Sequence, residues 1–483
     1  MLGPSVMTDL ARLDFALVSS MHILYPPLTI GLAAFLFFSE LRWLKTNDDE
    51  WYRITRFFEK LFIINFGAGV ATGITMEMSF GILFARFSQA AGPFFGNILG
   101  YETITAFMYE AGFIGLMIFG WGKISKKMHL FATFNVTFSS ILSAMWILVA
   151  NSWMQTPTGV HLEKGLFLVD SWTKAIFNPN FLVAFPHMLI SCFEIGLFFV
   201  ASISAWMIYK NRHAKMFTRT LKASILALVI VAPLQVYVGD ALGRNISKYV
   251  PAGLAAMEGH WHTYNVDGSP NTSWNVIAWP NEEKGTNDFQ ISIPHVLSLL
   301  EDHKWVSTVP GLDQFKKENR PPVLVPFYSF RIMAASGAAL MLIAFWGFYL
   351  RARGQFTAEK LQQHPNFLRV LIFSSFIPYI AIWTGWWTRE ITRQPWLING
   401  LMRTSEGVSQ MSITAEIVWF FGFLFFDIIV WYGAWYFFCK VIRKGPDMDS
   451  KPIHGVIPEP MELGHLPDQD APEGKPLFQR PTI

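Results

Sequence analysis

The sequence predicts an all-α integral membrane protein with about nine transmembrane helices. Of its 483 residues, 52% are hydrophobic and only 15% are charged, whereas soluble domains carry about 25% charged residues. The chain also contains 45 Phe, 19 Trp and 20 Met. This composition excludes a disordered chain, a coiled coil and an ordinary cytosolic enzyme. The formal net charge of +3 is too small to predict a nucleic-acid partner, so the partner expected of the outer surface is the lipid bilayer.

A spanning helix needs about 20 mainly apolar residues, and nine stretches reach that length. The first has neither the basic start nor the small-residue cleavage site of a signal peptide, so we expect it to be retained. Pro26 and Pro27 should kink it. The nine stretches lie at approximately 15–39, 57–84, 102–122, 130–150, 181–209, 220–239, 326–350, 366–388 and 412–439.

The distribution of Lys and Arg predicts the orientation of these helices. Basic residues are concentrated in the short connections after helices 1, 3, 5 and 7 and after helix 9, and they are sparse in the others. Cytoplasmic connections carry such an excess, so we expect the N-terminus outside and the C-terminus in the cytoplasm. Residues 240–325 then form a long external loop between helices 6 and 7, whose aromatic content favours a function. The tail 444–483 is expected to be mobile and cytoplasmic, which leaves 1–443 as the membrane domain.

Ionisable residues inside the predicted helices indicate where function resides. A charge at the centre of a spanning helix costs ~2.5–3.5 kcal/mol or more. Among the histidines, His22 and His187 lie within spanning segments, and Met333, Glu102 and Glu390 lie at helix ends on the side of the long loop. We therefore expect these five potential ligands at one membrane level. A lone intramembrane His is as often a structural hydrogen-bonding group, but a His with a Met at equal depth suits a six-coordinate haem.

A second carboxylate is predicted to lie deeper in the membrane than these five residues. Glu110 follows Glu102 by eight residues, which places it about 12 Å deeper along the same helix. Two carboxylates stepping into the membrane predict a proton route, and a hydrogen-bonded interhelical pair is the alternative. Gly69 and Gly73 permit a close helix approach, which is equally consistent with plain packing and with room for a haem.

Two arginines at the predicted outer surface have two possible roles. Arg331 and Arg393 could pair with the propionates of a haem. Interface snorkelling, in which the charged head reaches water, is the alternative for each.

Seven segments in a fixed order carry a resemblance to a known family. They are RLDFALVSSMHILYPPLTIGLA, GVATGITMEMSFG, YETITAFMYE, WILVANSWMQTPTG, AFPHMLISCFEIGLFFVASISAW, PFYSFRIM and GWWTREITRQPW. From about residue 10 to residue 440 the chain resembles subunit I of the cytochrome bd-type quinol oxidases. Although long for a connection between helices, the external loop is short for this family. In this it is similar to the short-loop branch, which includes the cyanide-insensitive-type oxidases.

The resemblance implies a set of haem ligands. His187 and Met333 align with the ligands of a low-spin haem b, and His22 with the ligand of a high-spin haem. Glu390 aligns with a glutamate that ligates a high-spin haem. One of the two high-spin haems is haem b, and the other is haem d or a third haem b. Which of them belongs to His22 and which to Glu390 stays open. Arg331 lies two residues before Met333, and we expect it to be cofactor-binding through the propionate pairing given above.

The resemblance also implies the reaction and its partners. Quinol would be oxidised at the external loop with the help of Glu258, and O2 would be reduced to water. Glu102 and Glu110 would deliver protons, and Arg393 belongs to the same catalytic region. Charge separation would generate a proton gradient across a bacterial cytoplasmic (inner) membrane. The partner would be subunit II in a heterodimer, with room for a small single-helix subunit.

Two positions depart from the family pattern, and two other functions remain open. Thr392 stands where the family signature usually has Gly, and Gly253 stands where the external loop usually has Lys. A lysine contribution to quinol binding therefore depends on whether Lys248 substitutes. The alternative functions are a multi-helix transporter and a haem-b membrane anchor without oxidase activity.

Overall fold

Nine helical spans in the described residues, 4–450 of the computed structural model, are long and apolar enough to cross a membrane. Three of the spans are composite, being built from two helices each, and the other six are single helices. In chain order the helices are α1 (Pro4–His22), α2 (Pro26–Thr46), α3 (Asp49–Leu83), α4 (Ala85–Glu102), α5 (Met108–Phe119), α6 (Lys126–Gln155), α7 (Trp172–Ile176), α8 (Phe181–Tyr209), α9 (Ala214–Tyr249), α10 (Pro251–Met257), α11 (Val296–Asp302), α12 (Leu324–Ala352), α13 (Ala358–Leu361), α14 (Pro365–Phe373), α15 (Ile377–Thr392), α16 (Thr404–Gly407) and α17 (Ile413–Lys444).

The first span breaks where the sequence predicts a kink. Helix α1 ends at His22 and α2 begins at Pro26, because proline lacks an N–H and suits the first turn of a new helix. The break leaves backbone groups without their usual helical partners. Asn65 of α3 bonds to one of them, since its side-chain amide donates to the Tyr25 carbonyl at 2.8 Å. The break between the two helices therefore lies directly after His22, the first predicted ligand.

The third span corrects the predicted boundary. It begins at Ala85, well before the predicted start at residue 102, because Arg86 and Asn97 dilute its apolar character. A π-helical segment, Thr103–Phe107, joins α4 to α5 and separates Glu102 from Glu110. Single π turns inside α-helices occur frequently at functional sites.

The predicted external loop contains regular structure. Helix α9 continues to Tyr249, so the first ten residues of the predicted loop are helical. The three two-stranded antiparallel sheets of the described residues all lie in connections between spans, so the all-α class is confirmed for the membrane part. Their strands are β1 (Val160–Glu163), β2 (Leu166–Val169), β3 (Trp274–Asn281), β4 (Thr286–Ile293), β5 (Trp396–Ile398) and β6 (Met402–Arg403).

Helix α2 is central to the packing and contacts α3, α6 and α8. Its closest contact is with α8, where an added Cβ on Gly31 would lie 2.3 Å from the Cys192 carbonyl oxygen. A Cβ on Gly196 would lie 2.5 Å from the Gly31 Cα. Small residues allow backbones in membranes to approach this closely. The two helices therefore cross with no side chain between them.

The tail expected to be mobile lies outside the described residues beyond position 450. Within the described part, α17 continues through Lys444, one residue past the predicted end of the membrane domain.

Candidate functional site

His22 is held with one ring nitrogen available. Its Nδ1 lies 3.0 Å from the Thr72 hydroxyl oxygen, and that hydroxyl donates its own proton to the Ala68 carbonyl at 3.0 Å. Thr72 therefore accepts from Nδ1–H, which leaves the Nε2 lone pair free. Metal-ligating histidines have this second hydrogen bond almost always. Gly73 packs against the ring, since an added Cβ would lie 3.2 Å from its Cε1 atom.

His187 and Met333 lie in similar surroundings on other helices. The amide nitrogen of Gln235 is 3.4 Å from His187 Nδ1, and a Cβ on Gly239 would lie 3.4 Å from His187 Cε1. A Cβ on Gly385 would lie 3.0 Å from the Met333 sulfur. Each of the three predicted axial ligands therefore packs against a glycine of a neighbouring helix. An added Cβ would crowd His22 and Met333 but would make an ordinary contact with His187.

The ligand chemistry fits a haem better than a bare metal ion. No group of three or more His, Cys, Asp or Glu that could hold a metal ion occurs between residues 4 and 450. A haem needs only one or two protein side chains, because the porphyrin supplies the other ligands. Isolated ligands with a fixed tautomer, as at His22, meet that requirement.

Glu390 belongs to a network of charges and amides near the C-terminal end of α15. Its two oxygens accept from Arg393 at 2.6 Å and from the Asn151 amide at 2.8 Å. Arg389 donates to Asn151 and to Asn180, both at 2.7 Å. Asn151, Arg389 and Asn180 were not predicted, although Asn151 and Arg389 lie within family-like segments.

Arg393 retains unused donors. The residue is only 4% exposed, and its Nε and Nη1 atoms have no hydrogen-bond partner among the described residues. Unpaired buried guanidinium donors are costly, and Arg suits carboxylates. An anionic group such as a haem propionate would satisfy them.

Glu102 and Glu110 both contact serines of α6. Ser143 donates to Glu102 at 2.7 Å, and Ser140 donates to the buried Glu110. Asn151, the partner of Glu390, lies eight residues further along α6, or about 12 Å. Glu102 therefore lies deeper than Glu390, which corrects the single level predicted for the five ligands. The reason is that the helix carrying Glu102 begins much earlier than predicted.

Glu258 and Arg331 form a buried ion pair at the base of the external loop. The Arg331 guanidinium donates to Glu258 at 3.0 Å, to the carbonyls of Met257 and Phe327 at 2.8 and 3.1 Å, and to the Asn275 carbonyl at 2.9 Å through Nε. A further Nη2 contact also reaches that Asn275 carbonyl. All five N–H groups are thereby used, so Arg331 has none left for the predicted propionate contact. Burial raises the pKa of Glu258, and the Arg331 charge opposes that shift.

The two departures from the family pattern contact each other. A Cβ on Gly253 would lie 3.0 Å from the Thr392 carbonyl oxygen and 3.1 Å from the Thr392 Cβ. Helix α10 therefore packs directly on the end of α15. Lys248, the possible substitute for the family lysine, is exposed and places its ammonium 5.2 Å from the centre of the Tyr249 ring.

The fold and these sites define a multi-pass membrane protein with isolated ligands suited to haem. The family described as cytochrome bd terminal oxidase subunit I matches residues 10–446, and the chain belongs to it.

Comparison with individual proteins agrees with this assignment. The chain is 33% identical to cytochrome bd ubiquinol oxidase subunit 1 of Bacillus subtilis (strain 168), over 91% of this chain and 94% of the relative. It is 32% identical to cytochrome bd-II ubiquinol oxidase subunit 1 of Escherichia coli (strain K12), over 91% and 96%. The structure of the bd oxidase from Geobacillus thermodenitrificans superposes with a TM-score of 0.82 at 26% identity, covering 91% of this chain and 99% of that one.

Proposed function

We propose that this chain is the haem-bearing subunit of an oxidase that oxidises quinol at the outer face and reduces O2 to water. The observation that carries the proposal is the surroundings of His22, where Thr72 fixes the tautomer and leaves Nε2 free for iron. The names of relatives support the electron donor, since they include ubiquinol oxidases and a putative menaquinol oxidase of B. subtilis.

Three haems would occupy the subunit. His187 and Met333 would hold a low-spin haem b, and His22 and Glu390 would each serve one of two high-spin haems. One of these two is haem b and the other is haem d or a third haem b, in either order. When bound, these groups would supply one-electron transfer from quinol and the site of O2 reduction. The unpaired donors of Arg393 would bind a propionate.

Glu258 would accept a proton as quinol is oxidised. The carboxylate lies at the end of α10, in the external loop, and its burial favours the protonated form. Arg331 stabilises the ionised form and holds the loop on α12. The opposing influences of burial and Arg331 suit a group that must gain a proton and then release it outside.

Glu110 and Glu102 would deliver protons for water formation. Each accepts a hydrogen bond from a serine of α6, Ser140 and Ser143. A hydroxyl both donates and accepts, so each serine can pass a proton to or from the glutamate that it contacts. Proton release outside and uptake from the cytoplasm would generate a transmembrane proton gradient.

The subunit would work in a heterodimer with subunit II, in a bacterial cytoplasmic membrane. Large apolar side chains of α17 are exposed, among them Phe421, Phe425 and Tyr432. They would contact lipid or the partner subunits, including a small single-helix subunit. Residues 1–443 would form the haem-bearing domain, with the quinol loop at 240–325 and a cytoplasmic tail at 444–483.

The test combines haem stoichiometry with quinol-driven O2 uptake in the purified complex. A pyridine-haemochrome spectrum counts the haems and distinguishes haem d from haem b. Absence of haem would reject the proposal, and haem without O2 uptake would favour a membrane anchor. Within an active complex, Glu110→Gln should slow O2 uptake at full haem content, because Gln keeps the hydrogen bond to Ser140 but cannot carry a proton.

A further inference from the structure

Helix α6 carries a line of polar side chains that all contact carboxylates of other helices. His129 and Thr133 contact Glu40, and the line continues with Ser140, Ser143 and Asn151, which contact the glutamates already described. Most of these positions follow spacings of three, four or seven residues, which place side chains on one helix face. This line extends from the first turn of α6 to its last.

The group at the first turn is fully enclosed. Glu40 and His129 are 1% and 2% exposed. His129 Nδ1 lies 2.7 Å from one oxygen of Glu40, and Thr133 donates to the other at 2.6 Å. The second ring nitrogen, Nε2, lies 2.9 Å from the Met117 carbonyl.

These contacts define where protons reside. A carbonyl oxygen only accepts, so His129 Nε2 must carry a hydrogen to bond Met117. The 2.7 Å contact between Nδ1 and Glu40 then needs one further proton, which can sit on either atom. The pair therefore holds a single shared proton in both of its forms, the neutral pair and the ion pair.

A second buried group connects this pair to the end of the helix bundle where α3 and α6 begin. The Trp121 ring lies 3.8 Å from the His129 ring, measured between centroids. The Trp121 indole donates to Glu59 at 2.9 Å, and Glu59 pairs with Arg56 at 2.6 Å. Arg56 is one-third exposed, so the buried group has an outlet at the end predicted to face the cytoplasm.

We propose that Glu40 and His129 form the proton-loading group of a route that follows α6 from the cytoplasmic side to Glu110. The proposal rests on the proposed oxidase function and supplies the entrance that the two glutamates lack. For each electron delivered to O2, one proton enters at the pair and leaves it toward Glu110. The electrons come from quinol, whose own protons leave on the opposite side.

The intermediate part of the route is polar. Thr133 and Ser140 are seven residues apart, or about 10 Å along the axis. The buried Thr137 lies between them and donates to the Thr133 carbonyl at 3.0 Å. Bound water on either side of its hydroxyl would complete the steps, since water bridges polar groups at little cost.

The experiment uses the complete oxidase in proteoliposomes, with quinol as donor. Glu40→Gln keeps both hydrogen bonds but removes the shared proton, so turnover should fall about tenfold or more at unchanged haem content. Thr133→Ala should also slow turnover and enlarge the D2O effect on O2 uptake. Ser139→Ala is the matched control on α6, because among residues 4–450 its buried hydroxyl bonds only to backbone carbonyls.

The outcomes separate this inference from the proposed function. An inactive wild-type complex would reject the oxidase itself. An active wild type with normal turnover in Glu40→Gln, or turnover that falls only in proportion to haem, would overturn the loading group. If Glu40→Gln does not assemble, Thr133→Ala decides: equal turnover and an equal D2O effect in Thr133→Ala and Ser139→Ala would also overturn it.

Discussion

Replacing Gly73 by alanine tests whether the space beside His22 exists for a ligand. The added methyl group would lie 3.2 Å from His22 Cε1, where ordinary contacts begin at 3.4 Å and extend to 4 Å. The ring must therefore move by a few tenths of an ångström. Metal–ligand distances tolerate about ±0.2 Å, and overpacking costs about 1–3 kcal/mol. We expect Gly73→Ala to lower the occupancy of one high-spin haem and to leave the low-spin haem in place.

The matched control lies two turns away on the same helix. Within the described part of the chain, a Cβ on Gly67 would contact nothing within 4 Å, so Gly67→Ala should keep every haem and stabilise the helix by up to about 1 kcal/mol. The assay is haem stoichiometry by pyridine haemochrome, with O2 uptake on the same preparations. Full occupancy and wild-type spectra in Gly73→Ala would refute the reasoning, as would equal losses in the two variants.

Three further predictions concern the external loop. Arg331→Met should speed proteolysis of the loop at normal haem content, because removing one partner of a buried ion pair costs about 3–5 kcal/mol; an unchanged cleavage rate would contradict this. Burial raises the pKa of Glu301 to about 8, above its unfolded value, so loop stability should fall as pH rises from about 4.5 to 8. Glu301→Gln should remove that dependence and gain about 3 kcal/mol at pH 7, as measured by hydrogen exchange; identical pH profiles would disprove it. Gly253→Ala should lower thermal stability, and Thr392→Gly should restore part of the loss in the double variant, whereas strict additivity would exclude a direct contact.

The sequence predicts the membrane architecture well because the bilayer imposes it. Nine apolar stretches are confirmed as helical spans, since backbone polar groups in lipid must be satisfied within a helix. The predicted ends of the spans are wrong where amphipathic turns extend a helix beyond its apolar stretch. The turns of Ala85–Glu102 and the end of α9 contain charges and amides, so apolar content alone does not locate them.

Candidate functional residues were predicted where placing them in the membrane is costly. His22 and Glu110 are conspicuous as ionisable side chains in apolar runs, whereas Ser140 and Ser143 are not, because small hydroxyls are common in helices. Their separations from His129, about three and about four helical turns along the same helix, were the available signal. For Arg331, the sequence shows the residue but not its contacts. Its position near Met333 is visible in the sequence, but its contacts with loop carbonyls depend on how the loop folds back.

The crossing of Gly31 and Gly196 has a consequence for electron tunnelling. Helix α2 follows the break after His22, and α8 carries His187 nine residues before Gly196. Backbone lies on backbone at this crossing, so no side-chain rotation can widen or narrow it. Tunnelling rates fall steeply with separation. Redox groups held at His22 and His187 would thus keep a constant spacing while the surrounding bilayer thickens, thins or changes composition.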